Sequence, residues 1–416
     1  MANTVLTTFW QFTRVGLQLL WTLIIARSLG AEAYGKFAGI SGLAALIGTF
    51  SGIGMGLLML QQVSRRTDHF PEYWRKAWGS TLPLGAALAL AFGLAGSALM
   101  GGTAGATVFL LVGLVELLFL PLTIVSSYAF QAHNRMGLAN MIYVFMPAAN
   151  LLAGLLFLAF GTAWDLAHYL YFHAAMAALA ALAAVIVVVR LLKPGLVPLS
   201  IGTTELREAA GFSLMRLADT GLGSFDKTLV LRLAGAEAAG AYTAAFRLAT
   251  VLVLPVVALS MSALPRLFRE GEHSRGGASP FVGKMLRHAL VYGLLAGIVM
   301  WFAADLLPWL LGETFARAAS AAKWMSLSPL LMGLCALGSN VLLTSQRRNR
   351  RILAQCIGLA SMVLIAAWLM PSFGLHGAVL TLLAAQAVTA ALLWALVFKK
   401  PPSFQHNRLT RIRLKS

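Results

Sequence analysis

Four basic residues stand where a cation is expensive to keep. Arg14, Arg216, Lys227 and Arg247 fall inside apolar stretches, as do the carboxylates Glu116, Asp219, Asp226 and Asp305. A charge at bilayer depth usually faces a protein interior or a wet cavity, which makes each of these a candidate for function. At about 100° per residue, Thr7, Trp10, Gln11, Arg14, Gln18 and Trp21 share a helical arc of roughly 100°. Arg216, Asp219, Thr220, Gly223, Asp226 and Lys227 share one of about 120°, with Leu214, Leu222, Phe225 and Leu229 pointing elsewhere. Two cationic stripes suit a phosphate-bearing anion, because arginine donates in a planar fork and lysine supplies a compact charge. A blander reading stays open for both. Arg14 can snorkel or pair with a buried carboxylate, and Arg216 with Asp219, and Lys227 with Asp226 or Asp219, can neutralise each other and only order the helix. Glu116, with Thr123 and Ser127 on its face, is either the counter-ion of Arg14 or a carboxyl for coupling transport to protons. Arg247 and the face of Asn140, Tyr143, Pro147 and Asn150 are further cavity candidates that could equally bond neighbouring helices.

The elements that must position these charges are membrane spans. Of 416 residues 59% are hydrophobic and only 11% are charged, against about 25% in soluble domains, so the charges cannot clothe a soluble exterior. Windows of about 19 to 25 residues place twelve spans near 7–28, 37–60, 78–100, 105–130, 138–160, 167–191, 210–233, 241–265, 286–311, 319–344, 349–371 and 375–398. The segment Met1 to Trp10 shows neither a basic region nor a cleavage site, so the first span is expected to stay. With the N-terminus inside, 23 basic residues fall on one side and 5 on the other, which predicts both termini in the cytoplasm. The net charge of +18 is thereby explained by topology, and a nucleic-acid partner is not expected. Cys335 and Cys356 have no paired spacing, and His168, His173 and His288 form no ligand set, so no metal is expected. Gly48, Gly52 and Gly56 predict close helix packing. Gly221 to Thr228 nearly spells a phosphate-cradling nucleotide loop, but Asp226 replaces its second glycine and no strand precedes it. Polar loops shorter than about 25 residues leave no room for a catalytic domain, so no enzyme is expected.

The chain also repeats itself. Arg27-Ser-Leu-Gly30-Ala-Glu32-Ala-Tyr-Gly35 recurs 205 residues later as Arg232-Leu-Ala-Gly235-Ala-Glu237-Ala-Ala-Gly240, with six of nine positions identical. Gln131 to Asn140 recurs as Gln346 to Gln355, with five of ten identical. The first pair follows spans one and seven, the second spans four and ten. An offset of six spans returns the chain to the same side, so the halves are parallel repeats about an axis along the membrane normal. This predicts an all-α integral membrane fold of twelve helices, with six-helix bundles at 1–195 and 196–398, a basic tail at 399–416, and a central cleft between the halves.

With these motifs in place the chain resembles the Wzx-type flippases of O-antigen and exopolysaccharide repeat units. The resemblance rests on Ala26 to Gly35, on Gln131 to Asn140, and on Asp226-Lys227 leading through Gly235-Ala-Glu237-Ala-Ala-Gly240-Ala-Tyr242 to Arg247. It continues through Leu307-Pro-Trp-Leu-Leu-Gly312-Glu313 and Phe373-Gly374-Leu-His-Gly377. It implies a member of the multidrug/oligosaccharidyl-lipid/polysaccharide (MOP) superfamily, with a V-shaped cavity open to one side at a time. The implied cargo is an undecaprenyl-pyrophosphate-linked oligosaccharide, moved across the bacterial inner membrane for polysaccharide or lipopolysaccharide biosynthesis. On that likeness Arg14, Gln18, Arg216, Lys227 and Arg247 would hold the pyrophosphate, and Asp219, Asp226 and Glu116 are candidates for ion coupling. Arg27, Glu32, Arg232 and Glu237 would be gate or fold elements. It implies no cofactor beyond a coupling proton or sodium ion, with membrane lipids, a polysaccharide polymerase and chain-length machinery as partners. Two other classes remain open. A cation-coupled drug antiporter of the same superfamily should show an acidic or neutral cavity, and a membrane-embedded glycan polymerase or ligase should carry a large external loop.

Overall fold

The computed structural model describes residues 2–161, 165–195, 197–273, 280–345 and 347–399, except for the side chains of residues 2–8, 218, 219, 222, 264, 265, 268–273 and 348. The expected basic tail lies outside the described residues beyond Lys399. Among the described residues every regular element is a helix.

Helix α1 (Ala2–Gly48) holds the first expected crossing and half of the second. It reverses at a single residue, Gly30, with φ 74° and ψ 173°, a conformation that glycine adopts without the Cβ clash other residues suffer. Helix therefore resumes at Ala31, where the sequence predicts a loop. The second crossing is in turn broken after Gly48, with Gly52, Ile53 and Gly54 all at positive φ, before α2 (Met55–Arg65). Glycine is needed there for space as well: a Cβ on Gly52 would strike Thr81, and one on Gly54 would strike the Ala209 carbonyl. The Gly48, Gly52 and Gly56 series thus does two jobs. Gly56 packs on Val125 and Tyr128 as expected, while Gly52 belongs to the break.

The first half continues with α3 (Phe70–Leu99), α4 (Ala106–Gly113), α5 (Leu120–Ala132), α6 (Met136–Phe160) and α7 (Leu166–Leu192). The second half comprises α8 (Thr203–Ala234), α9 (Ala236–His273), α10 (Pro280–Ala303), α11 (Leu306–Leu311), α12 (Ala316–Trp324), α13 (Ser328–Thr344) and α14 (Arg348–Phe398). Eight described segments are long and apolar enough to cross a membrane. One of them, within α14, bends at Gly374 and holds the last two expected crossings. α1 and α8 are not among the eight; they are the two helices that carry the polar stripes. Asp305, expected inside a span, instead lies between α10 and α11, exposed and paired with Lys323 at 2.7 Å.

The sequence repeat is also a backbone repeat. Gly235 turns α8 into α9 with φ 93° and ψ 170°, matching Gly30. Between α4 and α5 a π-turn, Leu114–Phe119, precedes Pro121; between α12 and α13 a 3-10 turn, Met325–Leu327, precedes Pro329. Proline lacks an N–H and its ring displaces a carbonyl one turn back, so the winding changes there in both halves. A glycine from the preceding crossing approaches each turn, Gly85 at the Leu117 carbonyl and Gly297 at the Ser326 carbonyl, leaving no space for a Cβ.

The first bundle is locked by a buried aromatic group. Trp21 Nε1 donates to the Tyr169 hydroxyl at 2.8 Å, and Tyr169 stacks on His173 with ring centroids 5.3 Å apart. His173 Nε2 lies 3.0 Å from Asn150 Oδ1, so His173 and Asn150 tie α6 to α7 rather than facing a cavity.

The halves meet at both ends. At the end away from the arginine-rich loops the two copies of the repeated motif pack on each other. A Cβ on Gly35 would strike the Ala236 carbonyl, and one on Gly240 would strike the Ala31 carbonyl. Gly35 and Gly240 are repeat partners, as are Ala31 and Ala236, so the contact is reciprocal about the pseudo-two-fold axis. Tyr34 adds an edge-on contact with Phe315 across the same seam. At the arginine-rich end the first turn of α8 reaches the other half, where Lys76, 5% exposed, is clamped by Glu205 at 2.7 Å and by Glu72.

Candidate substrate cavity

A cavity of about 450 Å³ lies between the halves beneath the reciprocal glycine seam. α1 contributes Arg14, Gln18 and Ser41, α8 contributes Gly223 and Lys227, α9 contributes Thr243, Phe246, Arg247 and Thr250, and the π-turn contributes Glu116. Of the cations expected from sequence, Arg14, Lys227 and Arg247 come together here, with Gln18 beside them. Along their helices, at 1.5 Å per residue from the Gly30 and Gly235 bends, Lys227 lies ~12 Å, Arg247 ~18 Å and Arg14 ~24 Å from the seam. Cationic groups are thus spaced along the cavity instead of gathered at one level.

Their states differ. Lys227 is fully engaged: its Nζ donates to Asp226 Oδ1 at 2.9 Å and to the Gly223 carbonyl at 2.8 Å, and it sits 4.1 Å from the centre of the Phe246 ring. Asp226, 1% exposed, takes a second hydrogen bond from the Tyr242 hydroxyl at 2.7 Å. The self-neutralising pair considered from sequence therefore forms at Lys227. Removing its cation would strand a buried carboxylate, which typically costs about 3–5 kcal/mol. Lys227→Ala is accordingly expected to lower the amount of folded protein in the membrane, read by fluorescence-detected size exclusion, whereas a cation held only for cargo would leave that amount unchanged.

Arg14 and Arg247 are different. Among the described residues neither makes an ion pair, and the Nε of Arg247 is buried without a hydrogen-bond partner. Buried donors in folded proteins are almost always satisfied, so the unpartnered Nε of Arg247, a residue that lines the cavity, is an exception. Glu116 does not pair with Arg14, although both line the cavity. It stands on the π-turn, where an extra residue in the helical turn re-aims the side chain.

Arg216 does not reach this cavity. It lines a second one of about 160 Å³ at the break in the second crossing, together with Thr220, Tyr128 and Ser51. Glu116 borders both cavities. The Asp219 side chain lies outside the described residues. At the seam, Glu32 pairs with Lys36 at 2.7 Å, and that hydrogen-bonded ammonium holds the Glu32 carboxyl below its usual range. Glu237 approaches Arg317 at 3.6 Å, the Arg232 guanidinium lies against Gly101, and Arg27 is exposed. Among the described residues no three His, Cys, Asp or Glu side chains cluster closely enough to hold a metal ion.

Ser41, Thr243, Phe246 and Thr250 line the cavity without having been singled out from sequence. Thr243, Arg247 and Thr250 stand at i, i+4 and i+7 on the eighth span, a polar stripe that the periodicity used for spans one and seven would also have found.

The fold has known counterparts. An inward-facing multidrug resistance MATE family transporter of the MOP superfamily superposes with a TM-score of 0.73 at 13% identity, over 91% of this chain and 93% of that one. The lipid II flippase MurJ in an inward closed conformation gives 0.73 at 10% identity, over 95% and 88%. A MOP superfamily transporter from Pyrococcus furiosus, described as having reversed binding-pocket polarity, gives 0.64 at 14% identity, over 95% and 94%. No curated protein matches the sequence. A family model described as polysaccharide biosynthesis protein matches residues 1–270. The chain therefore belongs to the polysaccharide biosynthesis protein family, and is a multi-pass membrane protein with the all-helical fold of MOP transporters.

Proposed function

We propose that this protein moves an undecaprenyl-pyrophosphate-linked oligosaccharide across the bacterial inner membrane by alternating access. The observation that carries this reading is the pair Arg14 and Arg247, lining a cavity between the halves with no ion-pair partner among the described residues. A pyrophosphate supplies the missing acceptors, and arginine matches its oxygens in bidentate fashion. Family membership supports a lipid-linked saccharide as cargo. In this reading the arginine-rich loops and both termini are cytoplasmic, so the closed glycine seam faces the periplasm and the cavity is loaded from inside. Arg14, furthest from the seam, meets the headgroup first.

Cargo bound to α1 and α9 together favours the state in which both face the cavity, and release needs a competing ion. Glu116, Asp219 and Asp226 are the coupling candidates. Glu116 is the best placed of those with a described side chain, because it borders two cavities and Asp226 is already committed to Lys227 and Tyr242. A polymerase and chain-length machinery would take up the product, and the protein itself would perform no covalent chemistry. The competing reading, a cation-coupled drug antiporter, shares the fold but asks for an acidic or neutral cavity. Among the described residues Glu116 is the carboxylate lining this one, against three cations.

Equilibrium binding to the purified protein tests this choice. Polyprenyl-pyrophosphate oligosaccharide should bind far more tightly than the same oligosaccharide on an uncharged polyprenol, and lipophilic cations should not compete. Equal affinity for the charged and uncharged lipids would remove the basis of the proposal.

A further inference from the structure

Glu116 borders two cavities, and they differ in what they can hold. The second, about 160 Å³, lies below the roughly 300–1,000 Å³ in which pockets take small molecules, yet has room for several waters. Gly48, Gly54 and Gly56 leave it open where the second crossing breaks, and Leu120, Ile124 and Tyr128 give it a wall on α5. From Glu116 to Tyr128 the chain advances ~18 Å along the helix axis toward the arginine-rich end. Ser51, Thr220 and Arg216 add polar groups to the lining. The Ser51 hydroxyl is buried and has no hydrogen-bond partner among the described residues, which suits a water-sized guest. Polar groups continue past this cavity: Tyr128 is hydrogen-bonded to Tyr143, and Gln131, in the last turn of α5, donates to the Tyr143 hydroxyl at 3.3 Å.

We propose that the second cavity is a proton passage between Glu116 and the arginine-rich face, separate from the path of the cargo, a role that rests on the flippase reading and names its coupling ion. When the larger cavity opens outward, the Glu116 carboxylate takes a proton from the periplasmic solution, forming one O–H bond. After the cavity turns inward that bond breaks, the proton leaves to water in the passage, and nothing is oxidised or reduced. A headgroup in the larger cavity covers Glu116 on one side only, so the passage keeps the carboxyl in contact with water throughout the cycle. The neighbours of Glu116 favour a proton over sodium. Arg14 and Tyr34 from α1, Arg216 and Lys227 from α8, Arg247 from α9 and Tyr128 from α5 line the two cavities with it. α3 and α7 also pack on the π-turn, but carry no titratable residue over 78–99 and 174–189. A hard cation such as sodium needs a shell of oxygen ligands, and four of these six side chains are cationic donors. A proton needs only the carboxylate.

Proteoliposomes of the purified full-length protein test it, with undecaprenyl-pyrophosphate N-acetylglucosamine as the probe lipid and a pH-sensitive dye inside. Wild type should bind the lipid, move it faster under a pH gradient than without one, and admit protons only while the lipid moves. Thr220→Leu puts a bulkier apolar group in the passage; it should bind the lipid as wild type does but move it at the gradient-free rate whatever the gradient. Ser51→Ala adds no bulk and strands no partner, so it keeps the fold and should show a smaller loss of the pH response. An unchanged response in both variants would overturn the passage, as would a wild type that binds and moves the lipid but is driven by sodium or is indifferent to pH. In those cases the flippase reading stands. A wild type that does not bind the lipid would overturn that reading and the passage with it.

Discussion

Arg14→Ala and Arg247→Ala are each expected to reduce transport of the lipid-linked cargo about 10- to 100-fold while leaving the amount of protein in the membrane unchanged. The size follows from the 1.5–3 kcal/mol, roughly, that a hydrogen bond to a charged group contributes. The unchanged abundance follows from the structure, because among the described residues neither cation holds a carboxylate that its loss would strand. Lys227 is the internal contrast: it is bound to Asp226, so its loss should appear first as lost protein. Export measured by surface polysaccharide, normalised to membrane abundance, separates the two classes. Wild-type export from both arginine variants would mean that the cavity cations do not hold the cargo.

Gly35→Ala or Gly240→Ala should open the seam between the halves. Each new methyl group would be driven into a backbone carbonyl of the opposite motif, which cannot swing aside as a flexible side chain would. Overpacking of this kind costs about 1–3 kcal/mol and falls only on the closed seam, so the open state should gain about 5- to 150-fold in population. The two variants should act alike, because the contact is reciprocal. A single cysteine introduced as Ser41→Cys, with Cys335 and Cys356 replaced, lines the cavity and reports the change. Its labelling by a membrane-impermeant thiol reagent applied outside should rise in either glycine variant. Labelling unchanged in both would show that the repeated motifs are not a gate.

The fold was largely legible because hydropathy and the repeat are properties of the chain itself. Hydrophobic windows locate crossings whatever their neighbours, and the recurrence of Arg27 to Gly35 at Arg232 to Gly240 announced two related halves before any packing was known. What stayed hidden depends on partners. The break after Gly48 packs against Thr81 and Ala209, neighbours that nothing local to Gly52 specifies. The π-turn at Glu116 precedes Pro121 and is packed by Gly85 of the preceding crossing, a neighbour that the local sequence does not name. The candidate site divides the same way. A helical stripe gives the face of each residue but not its depth or its neighbours. Arg216 and Lys227 share an arc on α8, yet they open into different cavities because they stand eleven residues apart along it. On the face of Asn140 and Asn150 the sequence left both readings open, and at Asn150 the helix-bonding one holds, since Asn150 meets His173 inside the bundle.

The most direct measurement of the central claim is mass spectrometry of lipid-linked glycans in a strain deleted for this gene and complemented with wild type or with Arg14→Ala/Arg247→Ala. The flippase reading predicts that undecaprenyl-pyrophosphate oligosaccharide accumulates in the deletion strain, clears with wild type, and stays high with the variant. Flat levels of those intermediates in the deletion strain, with raised sensitivity to cationic drugs in their place, would contradict it and assign the cavity to drug antiport.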